Sequence, residues 1–389
     1  MVKRIVVLAA VVLGMAAARP ALAVPAFARR YQVECHFCHD GYPKLNNMGQ
    51  RFRERGFRME KEDAFDLDKW ARSVPLDVRA SGTHFFFQGA DDTNSGFLKP
   101  ISAGSLGRRF SYWVDDGISI HGGSDHFTHT NPDNAWARVD ILPAGRLYIK
   151  GGRFEMDLPF TQVRTPHLFS YDIYFANTGS EVDNVGDYQD GAELGGQLPR
   201  DVHWSAAVVA GRDPKGAGDI NRRADRFDAN LFLRIAKRIN QHRVGAFAYI
   251  GRNTLVQSPT IAADDSLLRL GADASVWIHR LNLYGVAMYG HNDNSILSAR
   301  APTGTGQGLS FAGGFLQADW HVRDDVVLTL RGNLVSRPPG ATADARETFA
   351  SLFPGIQVFI YEHLKLSFEY GFLNRDRSDF GAAQVDLAF

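Results

Sequence analysis

Two cysteines and a histidine near the start of the chain have the spacing of a cofactor attachment site. Cys35, Cys38 and His39 form the pattern C-x-x-C-H. In such a pattern each thiol can add to one vinyl group of haem, and the adjoining imidazole can bind the iron from the proximal side. The spacing therefore predicts one covalent haem c, attached through Cys35 and Cys38 and ligated by His39.

Other uses of a C-x-x-C pair fit the chain less well. A structural zinc site needs four ligands, commonly with a second pair of Cys or His, and the chain has only 2 cysteines. A thioredoxin-like redox pair needs a βαβ context, which this part of the sequence lacks. A structural disulfide is the remaining alternative to haem attachment.

The sequence leaves the sixth ligand of the iron open. A thioether or a second imidazole could take that position, and the iron could also be five-coordinate or bind another ligand. Methionine commonly serves as apolar filler, so its presence alone assigns nothing. Met48 is the first candidate, and the others are Met59, His36 and His84.

The first residues predict a secretory signal peptide. Lys3 and Arg4 precede an apolar run over residues 5–18, and Ala21-Leu22-Ala23 has the form of a cleavage site. The run is too short for a good membrane-spanning helix. We therefore expect a signal peptide over residues 1–23 and export of the rest, which suits a haem attached outside the inner membrane.

The charge balance argues against one class of partner. The 43 basic residues equal the 43 acidic ones, so the formal net charge is +0. A nucleic-acid-binding chain usually carries a basic excess, and we expect no nucleic-acid partner. The mean hydropathy of -0.22 fits a soluble protein and equally a transmembrane barrel, in which only alternate residues face lipid.

The haem motif lies in a short segment, residues 24–73, that we interpret as a monohaem cytochrome c unit. Roughly fifty residues bury little apolar surface, so the segment needs haem, a barrel wall or both as its core. A helix is expected over residues 44–55, ending at Gly56. Its basic residues either pair with haem propionates, or form a solvated face or contacts with an acidic barrel wall. They are Arg51, Arg53, Arg55 and Arg58.

From about residue 74 the sequence alternates in polarity, as in Leu364 to Phe372, Phe227 to Ala236 and Leu268 to Ile278. This pattern predicts an all-β fold: a transmembrane antiparallel β-barrel of about 16 strands over residues 74–389. Short turns alternate with longer loops, as in bacterial outer-membrane barrels. A soluble β-sandwich or β-helix is the alternative, but closure is how such strands avoid open edges in lipid.

The barrel sequence also carries polar residues of two kinds. Inward charges are expected to line a polar lumen, for example Arg234, Arg269, Arg331, Lys365, Glu369 and Asp386. Two long loops contain carboxylates and imidazoles that suit Fe(II), although a solvated loop is equally ordinary. Their candidate ligands are Asp115, Asp116, His121, Asp125, His126, His129, Asp133, Asp157, Glu181, Asp183 and Asp187.

The stretch from Phe27 to Phe57 resembles the fused monohaem cytochrome–porins, a family that includes outer-membrane iron-oxidising cytochromes. The parts that carry the resemblance are Tyr31, the C-x-x-C-H motif, Tyr42-Pro43-Lys44-Leu45-Asn46, Gly49-Gln50-Arg51-Phe52 and Gly56-Phe57. The resemblance is specific over about thirty residues and only architectural over the barrel. It implies a single haem at or within the barrel mouth that passes electrons across the outer membrane.

The resemblance also implies partners. An extracellular donor, with Fe(II) as the first candidate, would be oxidised outside the cell. A periplasmic c-type cytochrome or other carrier would receive the electron. The activity would then be that of an Fe(II):cytochrome c oxidoreductase. Electron export to an external acceptor is the same device run in reverse. The alternative function is a diffusion porin for small solutes whose haem segment is a structural plug.

Overall fold

The computed structural model describes residues 26–59, 76–121, 127–129, 133–161, 168–169, 171–175, 185–186, 188–210, 229–258, 261–293, 308–337, 347–361, 363–373 and 379–388. The predicted signal peptide lies outside these residues. So does the expected boundary between cytochrome segment and barrel near residue 74. Both therefore stay predictions.

The N-terminal part is helical and short. Helix α1 is Ala26–Tyr31, a 3₁₀ turn covers Cys35–Phe37, and helix α2 is Asn47–Glu54. The expected helix over 44–55 begins three residues later because Asn46 caps it: the backbone there is extended, and the side-chain oxygen accepts a bond from the Gly49 amide at 2.9 Å. The helix ends before Gly56, whose φ is +65°, as expected for a left-handed helix stop.

The rest of the described chain is a single antiparallel sheet of sixteen barrel strands. Two of them are interrupted: β3 consists of Phe110–Asp115 and Ile118–His121, and β4 of Phe127–His129 and Asn134–Leu142. The others are β1 Leu76–Phe87, β2 Thr93–Leu106, β5 Leu147–Glu155, β6 Tyr188–Leu198, β7 Val202–Ala210, β8 Ala229–Ile239, β9 His242–Ser258, β10 Ile261–Ile278, β11 Leu281–Asn292, β12 Leu309–Arg323, β13 Val326–Arg337, β14 Glu347–Tyr361, β15 Leu364–Leu373 and β16 Phe380–Ala388.

Pairing of the first and last strands closes the barrel. Each strand pairs with its sequence neighbours, and β1 pairs with β16 from Arg79↔Ala388 to Phe87↔Phe380. Closure gives every strand two partners, so no edge is left unpaired in lipid. The predicted closed barrel of about 16 strands is confirmed.

Side chains alternate between the two faces of the wall, as the sequence predicts. In β8 the outward side chains Leu231, Leu233 and Ile235 are exposed, whereas Phe232 and Arg234 between them are buried. Outward apolar side chains that find no protein partner need lipid. The predicted lumen-facing charges Arg234, Arg269, Arg331, Lys365, Glu369 and Asp386 are all buried inside the barrel.

The two ends of the barrel differ. At one end seven tight connections join consecutive strands, near the predicted positions Gly107, Ala144, Arg200, Asn240, His279, Arg323 and Glu362. Positive φ values at Gly107, Ala144, Arg200, Asn240 and His279 belong to these tight reversals. The connections at the other end are mostly longer, but residues 259–260 join β9 and β10 directly because those two strands are the longest.

The hydrophobic core lies inside the barrel. The connection between β5 and β6 folds into the lumen, where Met156, Leu158 and Phe160 pack with Tyr171 and Tyr174. The same cluster includes inward side chains of β7 to β13. Helix α3, Asp172–Phe175, belongs to this inserted segment. A polar lumen was expected, and the described interior is instead partly apolar.

Polar contacts also hold the inserted segment against the far wall. The Leu168 amide donates to Glu369 at 2.7 Å, and the Arg331 guanidinium donates to the Phe169 carbonyl at 2.9 Å. Arg331 also pairs with Glu369 at 3.0 Å, so both wall charges are compensated in the low-dielectric interior.

Among the described residues no helix is long and apolar enough to cross a membrane.

Candidate functional site

The C-x-x-C-H motif forms a compact turn at the barrel end that carries the tight connections. The His39 amide donates to the Cys35 carbonyl at 3.0 Å, which brings the start and the end of the motif together. Both cysteines are half-buried and no disulfide joins them, so the alternative of a disulfide is not formed. The turn therefore presents two thiols and one imidazole from five consecutive residues.

Asn46 ties this turn to helix α2. Its side-chain nitrogen donates to the carbonyls of His36 and Phe37, each at 3.1 Å. Its amide donates to the Cys38 carbonyl at 2.9 Å, while its side-chain oxygen caps the helix at Gly49. One residue thus satisfies three carbonyls of the motif and one orphan amide of the helix.

Gly49 allows the helix to approach the motif. A Cβ at this position would lie 2.2 Å from the Cys38 carbonyl oxygen and 2.9 Å from a methyl carbon of Leu45. Backbone cannot move away from such a contact without disturbing the turn. Asn46 and Gly49 are among the residues that carry the family resemblance, and the structure gives each a local role: one caps the helix and the other lets it approach the motif.

The motif faces a cavity between the N-terminal segment and the barrel wall. Cys35, Cys38 and His39 all line it. Much of the remaining lining is apolar or aromatic, which is the lining that suits a large flat organic cofactor. From the N-terminal segment it includes Phe27, Tyr31, Leu45, Phe52, Phe57 and Met59, and from the wall Val78, Ile101, Trp113, Trp136 and Ala388.

Stacked aromatic rings make one wall of this cavity. Phe27 meets Phe52 edge-on at 5.0 Å between ring centroids, and Phe57 stacks on Trp136 at 5.9 Å and approaches Trp113 at 5.4 Å. Such pairs add to the stability that burial alone gives. Trp136 also packs against the apolar core of the lumen, so the two clusters are continuous.

The imidazole of His39 is in the protonation state that an iron ligand requires. Burial lowers the pKa of His39 to about 4, and the backbone of Pro43 and Lys44 offsets part of that effect. At neutral pH the ring is therefore uncharged and has a free lone pair. Its Nδ1 is buried and has no hydrogen-bond partner among the described residues. Burial also raises the pKa of the Cys38 thiol, which keeps it protonated until it reacts.

The candidates for a sixth ligand of the iron differ in whether their side chains face the cavity. Met59 lines the cavity, whereas Met48 is not among the described residues that do. His36 is turned outward: its side chain is 71% exposed and lies 3.3 Å from Glu34. His84 is on β1, exposed, and bonded to Asn94 at 2.9 Å. The sequence placed Met48 before Met59, and the cavity lining reverses that order because the turn at Gly56 brings residue 59 back to the cavity.

The arginines of the segment contact an acidic barrel wall. Arg51 pairs with Asp201 at 2.8 Å, Arg53 with Asp157 at 3.1 Å, and Arg58 with Asp140 at 2.9 Å. This is one of the two arrangements that the sequence left open. Arg53 also lines the cavity, so it remains within reach of a bound group.

Sequence reasoning missed the strongest anchors of the segment, because their partners are far away in the chain. Lys44 donates to Asp319 at 2.7 Å and to Asn282 at 2.6 Å, and it lies 4.2 Å from the Tyr284 ring centroid. Glu54 is buried and paired with Arg238. Both segment residues lie within the predicted helix region, where a charge looks like part of a solvated face.

The possible Fe(II) ligands of the two long loops lie partly outside the described residues. Within the described residues no cluster of three or more potential metal ligands occurs. Asp115 bonds Asn134 and Trp113, and Asp157 bonds His203 and Arg53, so both serve the barrel interior. Asp125, His126, Glu181, Asp183 and Asp187 lie outside the described residues.

The residues present fit a covalently bound haem. Two thiols that form no disulfide and a neutral imidazole share one largely apolar cavity, the imidazole keeps an unpartnered nitrogen, and a glycine lets the helix approach the motif closely. A zinc ion would need further sulfur or nitrogen ligands near these three, and no such cluster is present among the described residues.

Known structures similar to this one are bacterial porins and channels. An anion-selective porin from Comamonas acidovorans has a TM-score of 0.58 and 12% identity, with 81% of this chain and 98% of that chain covered. The outer membrane channel DcaP of Acinetobacter baumannii has a TM-score of 0.56, 12% identity, and coverage of 81% and 96%. OmpF of Salmonella typhi has a TM-score of 0.55, 12% identity, and coverage of 81% and 97%.

The barrel has the porin fold. Together with the outward apolar face, this makes the chain an outer-membrane β-barrel that associates with outer-membrane lipid. At 12% identity the likeness is one of fold. No protein-family model matches the chain, and no curated protein sequence matches it.

Proposed function

We propose that this barrel passes electrons between the outside of the cell and the periplasm through one haem c, attached by Cys35 and Cys38 and ligated by His39. The observation that carries the proposal is that these three side chains line one cavity enclosed by the N-terminal segment and the barrel wall. The donor is extracellular Fe(II), and the acceptor is a periplasmic c-type cytochrome or another carrier. In enzymatic terms this is an Fe(II):cytochrome c oxidoreductase.

The residues of the chain have separate tasks in this proposal. Cys35 and Cys38 would hold the group through two thioether bonds, each formed by addition of the thiol S–H across one vinyl double bond, and this would fix its orientation. His39 would supply its lone pair to the iron. The aromatic wall of Phe52, Phe57 and Trp136 excludes water from one side of the site. Bound haem supplies a one-electron Fe(II)/Fe(III) couple, whose potential depends on ligand and burial.

The interior of the barrel supports electron transfer better than solute flow. The cytochrome segment lies across one mouth, where Asn47 bonds the Asn240 carbonyl and Arg58 bonds the Gly107 carbonyl. Further in, the inserted segment packs Phe160 and Tyr171 against wall residues such as Tyr284 and Phe315. An electron can tunnel through packed side chains, whereas a hydrated solute needs an open aqueous path.

The second candidate is a diffusion channel for small solutes with the haem segment as a structural plug. The similar structures favour it, because they are porins and channels by their descriptions. On those comparisons alone it is the better supported of the two functions. It requires a continuous aqueous path past the inserted segment, and that requirement makes it testable.

The proposal is tested by a redox titration of the purified protein with Fe(II). The protein is produced in cells that attach c-type haem, and haem is first verified by peroxidase staining and by the mass of the chain. We expect the oxidised haem to be reduced by Fe(II) at micromolar protein concentration. A protein that carries haem but is never reduced by Fe(II) would exclude iron as the donor, and a protein without haem would exclude the whole proposal.

A further inference from the structure

We propose that Met59 is the sixth ligand of the haem iron. The inference rests on the proposed function, because it requires the haem bound through Cys35, Cys38 and His39. It replaces Met48, the first candidate from the sequence, with a residue eleven positions further along. Two properties single out this residue: its side chain faces the cavity, and the chain holds it there firmly.

A ligand must face the space that the porphyrin occupies. Of the methionine and histidine side chains in the described N-terminal segment, His39 and Met59 line the cavity. Met48 is on helix α2 and outside the lining, and the His36 side chain is 71% exposed. Each of these would have to leave its present position to approach the iron.

The backbone on the N-terminal side of Met59 is anchored. The Phe57 amide donates to the Phe52 carbonyl at 2.9 Å, and the Phe57 carbonyl accepts a bond from the Tyr31 hydroxyl at 3.0 Å. Arg58 is buried and donates to the carbonyls of Gly107 and Phe110 at 3.0 and 2.7 Å. These contacts join the segment to itself and to the barrel, so residue 59 is delivered to the same place in every molecule.

The surroundings of Met59 suit a thioether ligand. Its side chain packs against the apolar cluster of Phe52, Phe57 and Ala103. The His39 ring lies beside Tyr42, at 5.5 Å between ring centroids. The imidazole and the thioether therefore contact different residues of the cavity wall, and a ligand pair on the two faces of a flat group needs two such separate positions.

Two other donor groups on the cavity wall, an ammonium and a phenol, are already engaged. The Lys99 ammonium is paired with Asp133 at 2.6 Å and with Asp115 at 3.4 Å. The Tyr31 hydroxyl donates to the Phe57 carbonyl. The thioether has no proton to lose and carries no charge, so it can donate a lone pair to iron in an apolar site without leaving a buried charge. Such a ligand raises the reduction potential.

The test compares Met59→Leu with Met48→Leu in the full-length haem-loaded protein. Leucine keeps the volume and the apolar character of methionine and removes the sulfur. We expect Met59→Leu to lose the sulfur-to-iron charge-transfer absorption of the ferric protein, to bind carbon monoxide when reduced, and to have a lower reduction potential. Met48→Leu should match the wild type in all three.

A third variant checks that the effect is ligation rather than packing. Met59→His should restore a six-coordinate spectrum of the two-imidazole type while keeping the potential below that of the wild type. The inference is overturned if Met59→Leu retains the wild-type charge-transfer absorption, or if Met48→Leu is the variant that loses it.

The haem content separates this failure from failure of the proposed function. If all variants carry covalent haem and Fe(II) reduces it, but Met59→Leu is spectroscopically unchanged, only the ligand assignment is wrong. If the wild type carries no covalent haem, the proposed function and the ligand assignment are both overturned.

Discussion

Two residues, Asn46 and Gly49, lie against the carbonyl group of Cys38, and each has a local structural role there. Asn46 gives its amide to that carbonyl at 2.9 Å, and Gly49 leaves the space beside it. The motif is therefore held by the start of helix α2 rather than by a longer element. This arrangement explains how a small segment can position two thiols and an imidazole before any cofactor is attached.

The first prediction concerns Gly49→Ala. In an exposed helix interior this change stabilises by about 1 kcal/mol, because alanine favours the helix. Here the new methyl group would lie 2.2 Å from the Cys38 carbonyl oxygen, so we expect the sign to reverse. The measurement is the fraction of purified barrel that carries covalent haem, which should fall.

Gly332→Ala is the matched control for that change. A Cβ at Gly332 would meet nothing within 4 Å, so haem content should stay at the wild-type level. Equal haem content in all three proteins would show that the close approach of helix and motif is unimportant.

For single residues, the sequence predicts which side chains attach the cofactor better than it predicts which side chains face the cavity. Cys35, Cys38 and His39 were predicted together because five consecutive residues contain the whole pattern. Met48 was ranked ahead of Met59, whereas the structure puts Met59 on the cavity wall through the reversal at Gly56 and contacts of Arg58 with the barrel. Long-range contacts of this kind leave no local pattern in a single sequence.

The N-terminal segment, as an element, is held in the barrel by buried charges. Lys44 and Glu54 lie near the two ends of its helical part, and each reaches a wall residue of opposite charge. A buried pair gives little net stability relative to an apolar pair, but removal of one partner leaves an uncompensated charge. These pairs therefore specify where the segment docks.

The second prediction concerns Lys44→Met. The change leaves Asp319 fully buried without its 2.7 Å partner, and we expect docking of the segment to weaken by about 3–5 kcal/mol. The measurement is the urea concentration at which the segment becomes cleavable by protease while the barrel stays folded. The double variant Lys44→Met, Asp319→Asn should recover most of the loss.

Arg51→Met serves as the control for Lys44→Met. Its pair with Asp201 is partly exposed on both sides, with 39% and 49% of the side chains accessible, so the expected cost is about 0–1 kcal/mol. If the two single variants weaken docking equally, burial is not what makes the Lys44 pair important.

The third prediction is a pH dependence that comes from Glu54. Burial alone would raise the pKa of this carboxyl, but His203, Arg238 and Arg243 outweigh it and hold the pKa below its ordinary value of 4.5. A folded-state pKa below the unfolded one stabilises docking above the unfolded value, and that stability is lost as pH falls through the folded value. Docking should therefore be constant near neutrality and weaken below pH 4.5.

Glu54→Gln tests this assignment. The variant should dock less firmly at pH 7, because Arg238 loses its charged partner, and its docking should change less than that of the wild type as the pH falls. The same protease and urea assay over the pH range gives the measurement. An unchanged acid transition in Glu54→Gln would assign it to another group.

The strands were predictable because a period of two is visible in each of them. Leu366 and Phe368 alternate with Lys365, Ser367 and Glu369, and the structure puts the two sets on opposite faces. The inserted segment was not predictable in the same way. Residues such as Met156, Leu158 and Tyr171 have no regular period, and their partners lie on strands that follow later in the chain.

For the molecule as a whole, the packing inside the lumen distinguishes the two candidate functions. Two blocks lie in the path of a solute: the N-terminal segment at one mouth and the described parts of the inserted segment beyond it. The apolar clusters of the two are joined through Trp136. Under the proposed function, this interior would hold a redox group between two aqueous compartments.

The fourth prediction is that the protein in planar bilayers has far less conductance than an open porin of the same strand number. Replacement of Phe160, Tyr171 and Tyr174 by alanine should raise the conductance, because it removes inward rings from the inserted segment. The control is Phe368→Ala, which removes an outward ring and should change nothing. A wild-type conductance of porin size would favour the diffusion channel.

The central claim is electron transfer across the membrane, and vesicles test it most directly. The haem-loaded protein is inserted into vesicles that contain oxidised soluble cytochrome c, and a membrane-impermeant reductant is added outside. We predict reduction of the enclosed cytochrome c with the wild type and none above background with the double variant Cys35→Ala, Cys38→Ala. Equal reduction with both proteins, or no reduction through a wild type that carries haem, would contradict the claim.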